Sequence, residues 1–152
     1  LHYSARMKLR RATMDDALDV LAWRNDPASI AASKTPKPVD RADHLQWFER
    51  AVRDPNRLIL IAEEESRKID VIRFDRTADY WLVSINLAPF ARGKGYGRQA
   101  LSQAIGMLRA NVGRCRIVAE VKRDNASSLR LFEALGFIRQ GEKAGFQSLV
   151  LE

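Results

Sequence analysis

Histidine and cysteine are scarce in this 152-residue chain, which has two histidines and one cysteine. A single cysteine excludes an intrachain disulfide. The two histidines, His2 and His44, lie 42 positions apart, and no His, Cys, Asp and Glu residues have metal-ligand spacing, so we expect no metal site. No apolar run reaches the roughly 20 residues that span a bilayer, and the first six residues lack the apolar core of a secretory signal. The default expectation is a cytoplasmic protein with no membrane partner.

Low-complexity segments and repeats are also missing, and the composition, 46% apolar and 30% charged, is typical of one soluble globular domain. Basic residues outnumber acidic ones, and the net charge of +7 predicts an anionic partner or substrate. The bases are scattered, with no basic helix and no strand pair that carries stacking aromatics. Nucleic acid is therefore not the expected partner.

Hydrophobic periodicity and turn residues predict an α/β order of strand, two helices, three strands, helix, strand, helix and two strands. The first helix is predicted to begin near Thr13 and to stop before Pro27, and Asp40 to cap the second helix. Asp124 or Asn125 is predicted to cap the last helix, and short polar connections favour an antiparallel meander for the middle strands. The predicted strands span residues 8–12, 58–62, 69–74, 81–87, 117–121, 137–139 and 146–151, and the third helix spans 97–110.

The most informative stretch is residues 88–97, where an apolar strand runs into a basic turn with glycine at positions 93, 95 and 97. Glycine permits positive φ and close ligand approach, so backbone N–H groups at a helix N-terminus can converge on phosphate oxygens. Arg92, Lys94 and Arg98 add positive charge. A Walker loop would need a hydroxyl residue after Lys94, and the dinucleotide fingerprint would need Gly-x-Gly-x-x-Gly. The stretch is therefore predicted to be a phosphate cradle of another kind.

The segment Arg92-Gly93-Lys94-Gly95-Tyr96-Gly97 resembles the acyl-coenzyme A signature of the GCN5-related N-acetyltransferases (GNAT). Residues 125–137 (NASSLRLFEALGF) are similar to a later helix of that family. The resemblance implies one GNAT-like domain over residues 7–152, with a mixed, mostly antiparallel sheet, a splayed central strand pair and about four flanking helices. Residues 1–6 are then expected to be a disordered or tag-like segment. The implied cofactor is acetyl-CoA.

In this family the glycine-rich loop binds the pyrophosphate of the cofactor, and the pantetheine arm lies like a strand between the fourth and fifth strands. The resemblance also implies that a main-chain N–H near Leu87 stabilises the negative charge on the carbonyl oxygen. The implied cofactor-binding residues are Ile85, Asn86, Leu87, Arg92, Gly93, Lys94, Gly95, Tyr96, Gly97, Arg98, Asn125 and Ser128.

Acyl transfer from a thioester to an amine needs a deprotonated amine, a positioned carbonyl, donors for its oxygen and a proton for the leaving thiolate. Many family members place a tyrosine seven residues after the asparagine of the second motif, where this chain has Phe132. Ser128, another hydroxyl or water is the expected replacement, although Ser128 is equally consistent with a plain helix residue. The candidates for amine deprotonation are Glu120, Asp75 and Ser84. Glu120 qualifies if it faces the space between the fourth and fifth strands, and Asp75 also fits a turn residue.

Three segments, Trp23-Arg24-Asn25-Asp26, His44-x-x-Trp47-Phe48 and Ile72-Arg73-Phe74-Asp75, resemble acetyltransferases that act on nucleotide-linked amino-sugars, as in the pseudaminic acid pathway. This resemblance implies an anionic small-molecule amine as acceptor. Trp47 is equally consistent with a core position and Arg24 with a helix C-cap. Two alternative functions stay open, namely protein N-terminal acetylation of the ribosomal-protein type and a non-catalytic coenzyme A-binding module. The protein is expected to be a monomer or a homodimer. The implied acceptor-binding residues are Trp23, Arg24, Asn25, His44, Trp47 and Asp75.

Overall fold

A seven-stranded sheet organises the chain in the computed structural model, which describes residues 3–152. The strands are β1 Met7–Arg11, β2 Arg57–Glu64, β3 Arg67–Arg76, β4 Trp81–Leu87, β5 Ile117–Lys122, β6 Ile138–Lys143 and β7 Phe146–Leu151. They lie side by side in the order β1-β2-β3-β4-β5-β7-β6. The α-helices of the described residues are α1 Ala17–Arg24, α2 Pro27–Ala32, α3 Arg41–Ala51, α4 Tyr96–Val112 and α5 Ala126–Ala134.

The first four strands form an antiparallel meander, as the short polar connections predict. The chain then crosses over through α4, and β5 returns parallel to β4. Strand β7 pairs antiparallel with β5, and β6 forms a hairpin with β7 at the sheet edge. The predicted α/β class and mostly antiparallel sheet are confirmed, with a parallel pair between β4 and β5.

Apolar stripes hold the long helices to the rest of the fold. On α4, Ala100, Leu101, Ala104 and Leu108 are fully buried at helical spacing, and this helix packs on strands β1 to β4. Helix α3 buries Phe48 among other residues and packs on α1. These contacts fix the helices that surround β4.

Helix α2 departs from the sequence prediction, which ends the first helix before Pro27 and assigns no helix before Asp40. Asp26 caps α2 by accepting a hydrogen bond from the N–H of Ala28 at 3.1 Å, and Pro27 occupies the first turn. Proline suits that position because an N–H there would have no intrahelical partner. The described residues therefore form five α-helices rather than about four.

Residues 1 and 2 lie outside the described residues, so the structure bears only on part of the predicted N-terminal segment. Within that part, Ser4 exchanges two hydrogen bonds of 2.7 Å with the side chain of Gln99 on α4. Between residues 3 and 152, no helix is long and apolar enough to cross a membrane.

Candidate active site

Strands β4 and β5 separate part-way along their length. Their parallel pairing joins residues 81–83 to residues 117–119 and extends no further among the described residues. Beyond this point Ile85, Asn86 and Leu87 still pair with β3, so their backbone faces a gap on the β5 side. Backbone N–H and C=O groups at such an edge need partners. The gap can therefore take an extended chain of amides, as the family resemblance implies.

The glycine-rich turn at the end of this gap has the backbone that a phosphate cradle requires. Gly93 and Gly95 have φ angles of +74° and +81°, and Gly95 is the N-cap of α4. A helix N-terminus presents unpaired N–H donors and the positive end of the helix dipole. The turn borders a cavity of about 760 Å³, here called the loop cavity, whose wall includes Arg92, Gly93, Gly95, Gly97 and Arg98.

Side chains of the turn are partly engaged away from the loop cavity. Arg92 lies in the cavity wall but donates from Nη1 to Asp26 at 2.8 Å, which anchors α2 and lowers the pKa of that carboxyl. Tyr96 donates its hydroxyl proton to Glu64 at 2.9 Å, and this carboxylate raises the pKa of the tyrosine. Neither Tyr96 nor Lys94 belongs to the described wall. Their backbone belongs to the turn, so cofactor binding through the main chain of these two residues stays a prediction.

The start of α5 borders the loop cavity and a second cavity. Asn125 caps the helix by accepting a hydrogen bond from the N–H of Ser128 at 3.3 Å, and both residues line both cavities. Phe132 is buried and packs edge-on against Phe137, with ring centroids 5.1 Å apart. Phe132 has no proton to donate. Ser128 is the hydroxyl residue of α5 that borders both cavities, so it is the candidate proton donor of this helix.

The second cavity, here called the sheet cavity, has a volume of about 630 Å³ and a polar row on its floor. Arg73 on β3 pairs directly with Ser84 on β4, so both side chains point to the same face of the sheet. Leu82 of β4 pairs with Val118 of β5, and because side chains alternate along a strand, Ser84 and Glu120, each two residues further on, share that face. Arg73, Ser84 and Glu120 all line the cavity. The two cavities are contiguous, since Asn86 and Ser128 line both.

Glu120 lines the sheet cavity and is hydrogen-bonded to an internal amine. Its Oε1 accepts a hydrogen bond from Nζ of Lys34 at 2.6 Å, and 36% of its side chain is accessible. Lys34 belongs to the loop between α2 and α3, and its Nζ also lies 5.5 Å from the ring centre of Phe146. The candidate base therefore holds an amine at hydrogen-bond distance.

Arg24, at the end of α1, reaches the sheet cavity with one nitrogen unsatisfied. Its Nη2 donates to Ser33 Oγ and to the carbonyl of Thr35, both at 2.9 Å. Its Nη1 is buried without a hydrogen-bond partner among the described residues. Burial lowers the pKa of Arg24, but a guanidinium remains charged at neutral pH. Because a buried N–H without a partner is costly, Arg24 is a candidate binder of an anionic group.

His44 and Trp47, on α3, also line the sheet cavity. His44 is buried, which lowers its pKa, and its neutral ring donates from Nε2 to the carbonyl of Ala17 at 2.8 Å. Trp47 is partly exposed, and the Arg73 guanidinium lies 5.1 Å from the centre of its ring. The structure commits Nε2 of His44 to the fold, whereas Trp47 keeps a flat surface at the cavity.

Three residues predicted to bind the acceptor do not belong to the described cavity wall. Trp23 is buried in the core, where its large apolar surface is removed from water. Asn25 exchanges two hydrogen bonds with the backbone of Val39 and so fixes the entry to α3. Asp75 lies within β3, not after it, and binds the arginines at positions 57 and 73. The structure thus corrects the position of Asp75, and acceptor binding by Trp23 and Asn25 stays a prediction.

Three further residues of the sheet cavity were not among the predicted site residues, namely Arg73, Lys34 and Lys122. Arg73 lies between Ile72 and Phe74, which are both buried, and a charge between buried apolar residues signals a polar site on the other face of the strand. Lys34 and Lys122 give no such signal, because Lys34 lies in a polar loop and Lys122 at a strand end. Only the packing of that loop over β5 brings them to the cavity.

Comparison with known proteins defines the class of this protein. Residues 6–138 match the model of the family described as "Acetyltransferase (GNAT) domain". The Bacillus subtilis protein named "Putative phosphinothricin acetyltransferase YwnH" is 31% identical over 146 residues, which cover 89% of this chain and 86% of YwnH. The chain belongs to the GNAT acetyltransferase family.

Two further relatives come from Salmonella typhimurium. L-methionine sulfoximine/L-methionine sulfone acetyltransferase is 31% identical over 118 residues, which cover 70% of this chain and 65% of that protein. The structure of YncA, solved with its cofactor acetyl-CoA, has a TM-score of 0.79 and 27% identity over 97% of this chain and 94% of YncA. The predicted GNAT-like fold is confirmed, and the chain is an acetyltransferase rather than a non-catalytic module.

Proposed function

We propose that this acetyltransferase moves an acetyl group from acetyl-CoA to the primary amine of a small molecule that also carries negative charge. The observation that carries the proposal is the charge on the wall of the sheet cavity, with an unsatisfied donor on Arg24. Four cationic side chains face two carboxylates there, and such an excess attracts anions. These are Arg24, Lys34, Arg73 and Lys122 against Asp43 and Glu120.

The residues around the gap fit acetyl-CoA as cofactor. Positive φ at Gly93 and Gly95 lets main-chain N–H groups converge on a diphosphate, and the free edge of β4 offers residues 85–87 to a chain of amides. When bound, acetyl-CoA supplies an activated acyl group and its own leaving thiolate, so the protein needs no nucleophile of its own. The wall of the loop cavity and the edge of β4 would hold it.

The residues of the chain then perform three tasks during direct attack by the amine. Glu120 takes the proton of the acceptor amine, and a main-chain N–H near Leu87 donates to the acyl oxygen. Ser128, or a water beside it, supplies the proton that the leaving sulfur needs. Glu120 lines the sheet cavity, Leu87 lines the loop cavity and Ser128 lines both. Arg24 and Trp47 orient the acceptor, which lowers the entropy cost of the attack.

The leading acceptor class is a nucleotide-linked amino-sugar. Such a molecule combines a primary amine for Glu120, a diphosphate for Arg24 and a flat ring for Trp47. The comparisons favour a second class, because relatives are named for phosphinothricin and L-methionine sulfoximine. That class is an amino acid whose side chain ends in an anionic or strongly polar group. Peptides and polyamines suit the cationic wall less well.

A thioester-consumption screen tests the proposal, with amino-sugar nucleotides, polar amino acids, peptides and spermidine as acceptors. We expect an anionic amine to give the highest kcat/KM. Arg24→Met should then raise the acceptor KM roughly 10- to 100-fold, because a hydrogen bond to a charged group contributes about 1.5–3 kcal/mol. Lys37→Met, which removes a cation outside the described cavity wall, is the matched control and should leave KM unchanged. A preference for spermidine would contradict the anionic acceptor.

A further inference from the structure

An internal amine already lies in the sheet cavity. Lys34 donates from Nζ to Glu120, the group that we propose takes the proton of the acceptor. The two residues are 86 positions apart in the sequence, so the fold rather than local sequence brings them together. Lys34 therefore holds its amine where the proposed function requires the amine of an acceptor.

The loop around Lys34 is anchored on both sides of this residue. Nη2 of Arg24 bonds Ser33 and Thr35, the two neighbours of Lys34. Nζ of Lys122 donates to the carbonyl of Ala31 at 3.1 Å, which ties the end of α2 to β5. The loop thus presents Lys34 to the cavity, although 55% of the lysine side chain remains accessible.

We propose that Lys34 is a site of self-acetylation, modified when acetyl-CoA is bound and no free amine is present. This inference rests on the proposed function. Nζ of Lys34 gives one proton to Glu120, and its lone pair forms an N–C bond to the acyl carbon while the C–S bond breaks. Nζ loses a second proton as the amide forms. One proton ends on the sulfur of coenzyme A and the other passes to solvent, so the products are an acetylated lysine and the free thiol.

Acetylation changes the cavity in two ways. The amide of acetyl-lysine carries no charge, so the ion pair with Glu120 is lost and the carboxylate becomes free for an external amine. The wall of the sheet cavity also loses one of its four cations. The modified enzyme should therefore have a higher KM for anionic acceptors than the unmodified enzyme.

Mass spectrometry of the purified chain after incubation with acetyl-CoA alone tests the inference. We expect the mass of one acetyl group to be added, at Lys34 by peptide mapping, with a rate independent of protein concentration because donor and acceptor sites lie in one molecule. Lys34→Arg should abolish this addition, Glu120→Gln should slow it at least roughly tenfold, and Lys37→Arg, in the same loop, should leave it unchanged. Acetyl groups spread over many lysines, or a rate that rises with protein concentration, would overturn the inference.

A second measurement needs no thioester. In the free chain Lys34 should react more slowly than Lys37 with trinitrobenzenesulfonate, because its Nζ is engaged by the carboxylate of Glu120, and Glu120→Gln should remove the difference. Equal reaction rates of Lys34 and Lys37 in the chain without substitutions would overturn the ion pair on which the inference depends. If free amines are acetylated while Lys34 stays unmodified, only the inference fails. If neither free amines nor Lys34 are acetylated, the proposed function fails as well.

Discussion

Gly97 of α4 lies directly against Leu87 of β4, since a Cβ atom built on Gly97 would come 3.2 Å from Cδ1 of Leu87. That distance is shorter than ordinary van der Waals contact, so the helix needs glycine here to approach the strand. The contact couples the phosphate turn to the strand edge that borders the gap. It explains why a residue that disfavours helices stands in the first turn of α4.

Gly97→Ala should therefore destabilise the protein, because Leu87 must move to admit the new methyl group. Overpacking of this kind costs about 1–3 kcal/mol, which should outweigh the gain of about 0.5–1 kcal/mol that alanine has over glycine in a helix. Gly106→Ala is the matched control, since nothing lies within 4 Å of its Cβ position in the same helix. It should stabilise the protein by about 0.5–1 kcal/mol. Urea denaturation measures both, and the same sign for both variants would contradict the packing argument.

Asp70 on β3 is fully buried opposite Leu87, and neither of its carboxylate oxygens has a hydrogen-bond partner among the described residues. Burial raises the pKa of Asp70 well above the ordinary 3.8, and the nearby N–H groups of Val71 and Asn86 offset this only in part. The unfolded chain ionises at a lower pH than the folded chain. The contribution of Asp70 to the free energy of unfolding is therefore fully present below about pH 3.8, and it is lost as the pH rises through the pKa of the folded protein.

Asp70→Asn should flatten this dependence, because the amide cannot ionise. The free energy of unfolding from urea titrations should fall less between about pH 5 and about pH 8 in the variant than in the unmodified chain. Asp79→Asn, at an exposed carboxyl, is the control and should leave the slope unchanged. An unchanged slope in Asp70→Asn would show that this carboxyl is already ionised in the folded protein.

His44 should produce a dependence of opposite sign. Burial lowers the pKa of His44 below its ordinary 6.5, so the folded chain binds the proton only at a lower pH than the unfolded chain does. This contribution to stability is present above about pH 6.5 and is lost as the pH falls below it. His44→Gln can still donate to the Ala17 carbonyl but does not titrate, so its unfolding free energy should fall less on acidification. Equal acid sensitivity in both proteins would contradict the assignment.

Glu120→Gln should reduce acetyl transfer to a free amine by about 100-fold, because the glutamine cannot accept the proton. The loss should be greatest at low pH, where the smallest fraction of the amine is already neutral. The rate between about pH 6 and about pH 9 checks this, with Ser84→Ala, the neighbour in the polar row, as the comparison. A pH–rate profile identical to that of the unmodified enzyme would exclude Glu120 as the base.

The elements of the fold were largely predictable, because periodicity and capping residues report local structure. Trp81–Leu87 and Phe146–Leu151 have the predicted bounds. Helix α2 was missed, because Pro27 was interpreted as the end of one helix when it begins the next. The sequence pattern Asp26-Pro27 carried that information, since aspartate followed by proline is a typical helix start.

The site was predictable only where the backbone determines it. Gly93 and Gly95 have the expected positive φ, which few other residues tolerate. Side-chain directions were not predictable in the same way. The pairing of Lys34 with Glu120 depends on how a loop packs over the sheet, and Trp23 and Asn25 turn to the fold instead of the cavity. No local pattern distinguishes these outcomes.

Calorimetric titration of coenzyme A into Gly95→Val tests the central claim, that main-chain N–H groups of the turn bind the diphosphate. Valine resists the φ of +81° that Gly95 adopts, so the turn must change and binding should be lost. Gly113→Val imposes a positive φ of +82° on a β-branched residue at the far end of α4, and should lower stability but keep the affinity. Unchanged affinity in a folded Gly95→Val protein would contradict the account.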